Sequence, residues 1–277
     1  MKSIKYIMIW AIMPLMFLAS CSQKDKVSLS EAGLPLASDV NASVSVDTAN
    51  VVTFHTDAKG LVPLWYFSDE DFAAQNDYKR TFPMKGTYTI QVKAYNKNGI
   101  SDGSVTKQFT VEKDLYALYL SGSGSKTWVW DKATAGHIGC GPSGTIGLSW
   151  WSCGPNEKAG TGMYDDELTF KNDNSYNFSP GKDGLIYVNA GSGYKTSYST
   201  GNGDYDAPCD AINTTYSFEQ VGSTVYLVFP ANTIVSYIPN PEALTTPKFK
   251  IINISRNLLE VAIDNGGIAW HYRFIPK

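Results

Sequence analysis

Histidine is scarce in this chain, with three among 277 residues. A Ser-His-Asp hydrolase needs a base within reach of its nucleophile, and none of His55, His137 and His271 accompanies a GxSxG-type motif. His55 and His271 read as structural or surface residues, and His137 is alone beside a tryptophan-rich segment. Charge is also thin: Asp, Glu, Lys and Arg make up 18%, with a formal net charge of −3. A mildly acidic chain has no electrostatic reason to seek nucleic acid. Four cysteines occur without a CxxC pair or a Cys/His cluster, which argues against structural zinc. No helical period runs long enough to mark an extended helix. The apolar run ending at Leu18 is too short, and too closely followed by polar sequence, for a membrane span.

What is present begins with that run. Lys2 and Lys5 precede it, and Leu18-Ala19-Ser20-Cys21 closes it. A charged start, a short apolar stretch and small residues before the cut make a secretory signal, and the pattern resembles that of bacterial lipoproteins. The resemblance implies cleavage before Cys21 and a lipid on that cysteine, hence an outer-membrane, surface-facing anchor. Removing residues 1–20 takes away two lysines and no acids, moving the formal charge from −3 to −5. Cys140, Cys153 and Cys209 then remain. Cys140 and Cys153 bracket a tryptophan loop, and a disulfide between them would pin it. An odd count still leaves at least one thiol unpaired.

Aromatic residues make up 13% of the sequence, ample for a core. Residues 21–41 are polar and read as a lipidated tether. From Ala42 the text alternates with period two, the mark of strands. In "TYTIQVKAY", Tyr88, Ile90, Val92 and Ala94 share one face, and "NKNG" at 96–99 reads as a hairpin turn. From Leu115 to Lys277 come about ten more short strands, "YALYL", "KTWVWD", "DELTF" and "AWHYRFI" among them, separated by turn residues. "NPEALTT" reads as one turn of helix. The expectation is an all-β chain whose second half is a jelly-roll-like sandwich.

Several residues could carry binding. Trp128 and Trp130 share a face in "KTWVWD", so they either stack on neighbouring sugar rings or both enter the core. Trp150 and Trp151 are adjacent, and in an extended segment they face opposite ways, so at least one should reach the surface. Asn156, Glu157 and Lys158 follow among glycines and offer polar partners, or else form a solvated turn. Tyr164 and Asp165 open the next strand, where a carboxylate could accept bonds from vicinal hydroxyls. Asp165 and Glu167 share a face at a spacing that a glycosidase pair could use, but the ExDxE strand pattern of jelly-roll glucanases is absent. Asp165 and Asp166 would also suit a structural Ca2+. No other cofactor is expected.

Two resemblances organise these readings. "VTFHTDAKG", "LWYFSDED" and "YKRTFPMKGTYTIQVKAYNKNG" resemble a PKD domain, an immunoglobulin-like sandwich, over residues 42–113. The family's "WDFGDG" turn stands here as Trp65-Tyr66-Phe67-Ser68-Asp69-Glu70, without the glycines. The likeness implies a spacer with Trp65 in its core. Lipoprotein signal, PKD-like spacer and a tryptophan-rich domain at 115–277 together resemble the Sus-like surface glycan-binding lipoproteins, in particular accessory proteins of β-glucan utilisation. That resemblance implies a non-catalytic protein holding a β-1,3- or mixed-linkage glucan for an outer-membrane transporter. Trp130, Trp150, Trp151 and Tyr164 would lie on the sugar faces. Asp47-Thr48-Ala49 also resembles an O-glycosylation site of such proteins. A β-glucan hydrolase and a structural adhesin are the competing expectations.

Overall fold

The computed structural model describes residues 33–67, 71–201 and 203–277. The signal, Cys21 and the acidic turn at 68–70 lie outside these residues. Among the described residues no helix is long and apolar enough to cross a bilayer.

The first domain holds eight strands: β1 (Ser43–Val46), β2 (Val51–His55), β3 (Val62–Tyr66), β4 (Phe72–Ala73), β5 (Asp77–Thr81), β6 (Gly86–Asn96), β7 (Gly99–Ile100) and β8 (Val105–Val111). One sheet runs β1-β2-β5. The other runs β4-β3-β6-β7, with β8 also on β6. Inward residues at period two meet between the sheets: Val52 and Phe54, Trp65, Ile90, Val92 and Ala94, Phe109 and Val111. Trp65 is fully buried, with its indole N–H donated to the Gln75 carbonyl at 2.9 Å. Asn96 and Gly99 face each other across the Lys97-Asn98 turn, as the sequence indicates. The domain starts earlier than its alternation does. Ala37–Val40 form a 3-10 turn, and Val40 enters the core, so the end of the expected tether is part of the sandwich.

The second domain begins with helix α1 (Leu115–Ser121), where "YALYL" had the look of a strand. Asp114 accepts the Ala117 N–H at 2.9 Å, and the leucines and alanine that follow are good helix formers, so the local cap decides the matter. Strands follow as β9 (Ser125–Trp130), β10 (Ile138–Pro142), β11 (Trp151–Ser152), β12 (Glu167–Lys171), β13 (Ser175–Ser179), β14 (Leu185–Val188), β15 (Tyr205–Pro208), β16 (Ile212–Thr215), β17 (Ser217–Val221) and β18 (Thr224–Val228). Helix α2 (Glu242–Thr245) is the single turn read from "NPEALTT", and β19 (Lys248–Ile254), β20 (Leu259–Asp264) and β21 (Ile268–Pro276) complete the chain's elements.

The all-β expectation holds. The second domain closes through one continuous sheet, ordered β16-β13-β12-β9-β21-β20-β19-β18-β17, which is nearly closed like a barrel; β14 and β15 form a separate ribbon. Its concave side collects Trp128, Trp130, Leu168, Phe170, Tyr176, Phe178, Phe249, Tyr272 and Phe274 at every second position. Each such side chain contributes about 1.5–3 kcal/mol on burial, which makes this aromatic interior the main stabilising element.

One detail positions everything else. A single edge of β21 serves two strands, β9 along Phe274–Pro276 and β10 along Ile268–Tyr272. Between them the chain leaves the sheet at Asp131 and rejoins at His137. Asp131 N–H donates to the Arg273 carbonyl, and Arg273 N–H donates to the His137 carbonyl, closing both ends of the excursion.

Candidate functional site

Strand β10 projects past the excursion and carries β11 on its outer edge, with Cys140 opposite Trp151 and Gly139 opposite Ser152. Gly139 permits this approach. A Cβ there would lie 2.5 Å from the Trp151 carbonyl oxygen, closer than any side chain tolerates. The loop before β11 folds over the start of β21 and is tied down by Asp264, whose carboxylate accepts from Ser143 Oγ at 3.0 Å and Gly144 N at 2.7 Å. Along 150–153 exposure alternates as an extended segment requires. Trp150 is 60% exposed, Trp151 half-buried, Ser152 exposed and Cys153 buried. Ile146 stands out from the same loop.

The following loop is pinned from three sides. Asn156, with φ 57°, donates its N–H to the Lys132 carbonyl at 2.7 Å, and Glu157 accepts the Gly154 N–H at 2.6 Å. Lys158 N–H donates to the Tyr164 hydroxyl at 3.0 Å. That hydroxyl and His137 Nε2 are 2.8 Å apart, and His137 Nδ1 lies 2.8 Å from the Thr134 carbonyl. A carbonyl can only accept, so Nδ1 carries the proton and Nε2 takes the hydrogen bond from Tyr164. Burial lowers the His137 pKa and pushes that of Tyr164 up to about 12, which keeps both groups neutral near pH 7. This relay braces the site and needs no charge.

Tyr164 opens onto a groove of about 520 Å³, bordered by Lys132, Asp165, Glu167, Lys182 and Lys277. The Lys132 ammonium lies 5.7 Å from the centre of the Tyr164 ring. Asp165 accepts the Lys182 N–H at 2.8 Å, and Glu167 pairs with Lys277 at 2.5 Å. Asp166 points the other way, into the core, so Asp165 and Asp166 do not converge on one cation. Among the described residues no group of three or more His, Cys, Asp or Glu side chains is placed to hold a metal.

The sequence-expected residues therefore divide. Trp151, Asn156, Glu157 and Tyr164 come together around Lys158, and Asp165 joins them through the groove. Trp150 projects from the opposite face of the same segment. Trp130 lies beneath the groove but offers it almost no surface: it is 2% exposed, its rings pack on Tyr272 and Phe274, and its indole N–H donates to Ser236 Oγ at 2.7 Å. Of the two readings open for the Trp128–Trp130 pair, the core is the one realised.

The Cys140–Cys153 bridge is likewise corrected, since Cys140, Cys153 and Cys209 are all free. Cys140 faces Trp151, whereas Cys153 N–H bonds to the Ile138 carbonyl. The two are thus diagonal neighbours, at a spacing of about 7–8 Å, whereas a disulfide needs Cβ atoms about 3.5–4.5 Å apart.

The sequence reading missed Tyr187, on the β14–β15 ribbon. Lys158 Nζ lies 5.1 Å from the Trp151 ring centre and 5.2 Å from that of Tyr187. Tyr187 also packs on Tyr237, which packs on Trp270. Thirty-six residues separate Trp151 from Tyr187, and no local pattern links them.

No family model matches the chain, and no curated protein matches it. Among solved structures, the chain is similar to the PKD1 domain of Vibrio anguillarum Epp, at 18% identity and a TM-score of 0.21, over 26% of this chain and 90% of that one.

Proposed function

We propose that this chain is a non-catalytic surface lipoprotein that captures a polysaccharide, with β-1,3- or mixed-linkage β-glucan the first candidate, and presents it to an outer-membrane transporter. On this reading Cys21 carries the lipid, the first domain is a spacer and the second domain binds. The observation that carries it is the exposed indole of Trp150, held outward by a loop that Asp264 ties down through Ser143 and Gly144. A flat ring covers the apolar C–H face of a sugar while polar groups take its hydroxyls. One ring buried against ligand contributes about 1.5–3 kcal/mol. A few such contacts, less the association cost, leave Kd between roughly micromolar and millimolar, a range that suits a repeating polymer bound at several points.

The test is native electrophoresis of residues 22–277, which contain both hydrophobic cores, in gels cast with laminarin, mixed-linkage glucan, xyloglucan, starch or mannan. Reducing sugar is assayed alongside. Retardation by one or two β-glucans without sugar release supports the reading and names the linkage. Free migration through every glycan overturns it, and sugar release with retardation would instead make the chain a hydrolase.

A further inference from the structure

The Trp151 indole is part of the site, yet its open side is not free. The Lys158 ammonium stands over it, and lies at nearly the same distance from the ring of Tyr187. Among the described residues that ammonium has no hydrogen bond and no ion pair, although carboxylates are close. Glu157 accepts the Gly154 N–H, Asp206 accepts the Gly162 N–H at 2.8 Å, and Asp204 takes Asn189 Nδ2 at 2.9 Å and the Tyr237 hydroxyl at 3.2 Å. Each acid is engaged by a neutral donor, and the rings alone hold the lysine.

The two walls are fixed while the filling is not. Trp151 is held in register opposite Cys140. Tyr187 is held by the β14–β15 pairing and by the Asn189 N–H bond to the Ile238 carbonyl at 2.9 Å. Lys158 is anchored only through its backbone, its N–H on the Tyr164 hydroxyl and its carbonyl accepting from Thr161, so its four-carbon side chain can swing away without disturbing the loop. What a cation–π contact contributes is comparable to the entropy lost in holding a lysine in one rotamer. The plug is weakly held.

We propose that Trp151 and Tyr187 form a second sugar-ring subsite, which the free protein keeps filled with its own Lys158 ammonium and which a pyranose of the glycan opens by displacing it. This rests on the glycan-binding reading above and assigns Lys158 as the residue that limits affinity at that subsite. The plugged cleft keeps two apolar ring faces out of water until a ligand arrives, and a single monosaccharide gains too little there to compete.

The test is calorimetric titration of residues 22–277 with laminarin oligosaccharides, comparing wild type with Lys158→Ala, Lys158→Arg and the double variant Lys158→Ala with Tyr187→Ala. Removing the plug should tighten binding roughly tenfold. Lys158→Arg, which restores a cation between the rings, should bind like wild type, and loss of Tyr187 should cancel the gain. Wild-type binding with Lys158→Ala equal or weaker overturns the plug and leaves glycan capture standing. If neither wild type nor Lys158→Ala binds, both the plug and the glycan reading fall.

Discussion

Asp166 and Trp130 are joined through one hydroxyl. Ser236 accepts the Trp130 indole N–H and donates to a carboxylate oxygen of Asp166, and all three groups are buried. The second oxygen of Asp166 has no hydrogen-bond partner. Burial pushes the Asp166 pKa well above the usual carboxylate value, because a charge there would be neither solvated nor paired.

That shift makes stability depend on pH with a definite sign. The folded chain keeps a proton on Asp166 that the unfolded chain releases near pH 4. The contribution is complete below that pH and is lost as pH rises towards the folded-state value, at about 1.4 kcal/mol per pH unit. Urea unfolding between pH 5 and 8 should show the decline, and Asp166→Asn should remove this part of the slope whatever its absolute stability. An unchanged slope in the variant would place the titrating group elsewhere.

Two of the three candidate tryptophans should respond in opposite ways. Trp130→Ala empties a core position and strips Ser236 of its donor, so unfolding should become easier by about 3–5 kcal/mol. Trp150→Ala removes an exposed ring and should stay within about 0.5 kcal/mol of wild type in the same assay. Glycan binding should fall at least tenfold in Trp150→Ala, as expected for one lost ring contact of about 1.5–3 kcal/mol.

Gly139→Ala tests whether close strand approach sets the site. The added methyl meets the Trp151 carbonyl and the Leu148 side chain, so β11 has to move off β10. We expect a loss of about 1–3 kcal/mol, together with a changed near-ultraviolet tryptophan signal. A variant with wild-type stability and spectrum would show that the edge strand accommodates the methyl.

Thiol titration separates the two views of the cysteines. Unfolded in the absence of reductant, residues 22–277 should expose three reactive thiols, Cys140, Cys153 and Cys209. Folded protein should react slowly and first at half-buried Cys140, since burial raises the pKa of all three and takes that of Cys209 to about 11. A single thiol in the unfolded chain would mean that Cys140 and Cys153 are bridged after all.

Much of this fold is written in period-two alternation. The inward residues of β6, the buried Trp65 and the turn at 97–98 could be read directly, because the pleat forces side chains to alternate. Alternation shows that Trp128 and Trp130 share a face but not which face, and only the curl of the sheet decides that. It also misread "YALYL", where a capping aspartate outweighs a strand-like string. For the site, the opposed orientations of Trp150 and Trp151 followed from chain geometry. The cleft beside Trp151 did not, since Tyr187 arrives on a separate ribbon and Lys158 lies in a loop with no repeat to read.

The place of β21 in the sheet has a consequence for how the domain comes into being. It lies between β20 on one side and β9 and β10 on the other, and it follows all of them in the sequence. Until Ile268–Pro276 have been synthesised, the first and last halves of the domain have no strand to join them. Strands β9, β12, β13 and β16 can pair among themselves, and β10 with β11, but only β21 joins these two groups to each other and to β17–β20. Joining the three groups is a single late event that waits on Ile268–Pro276.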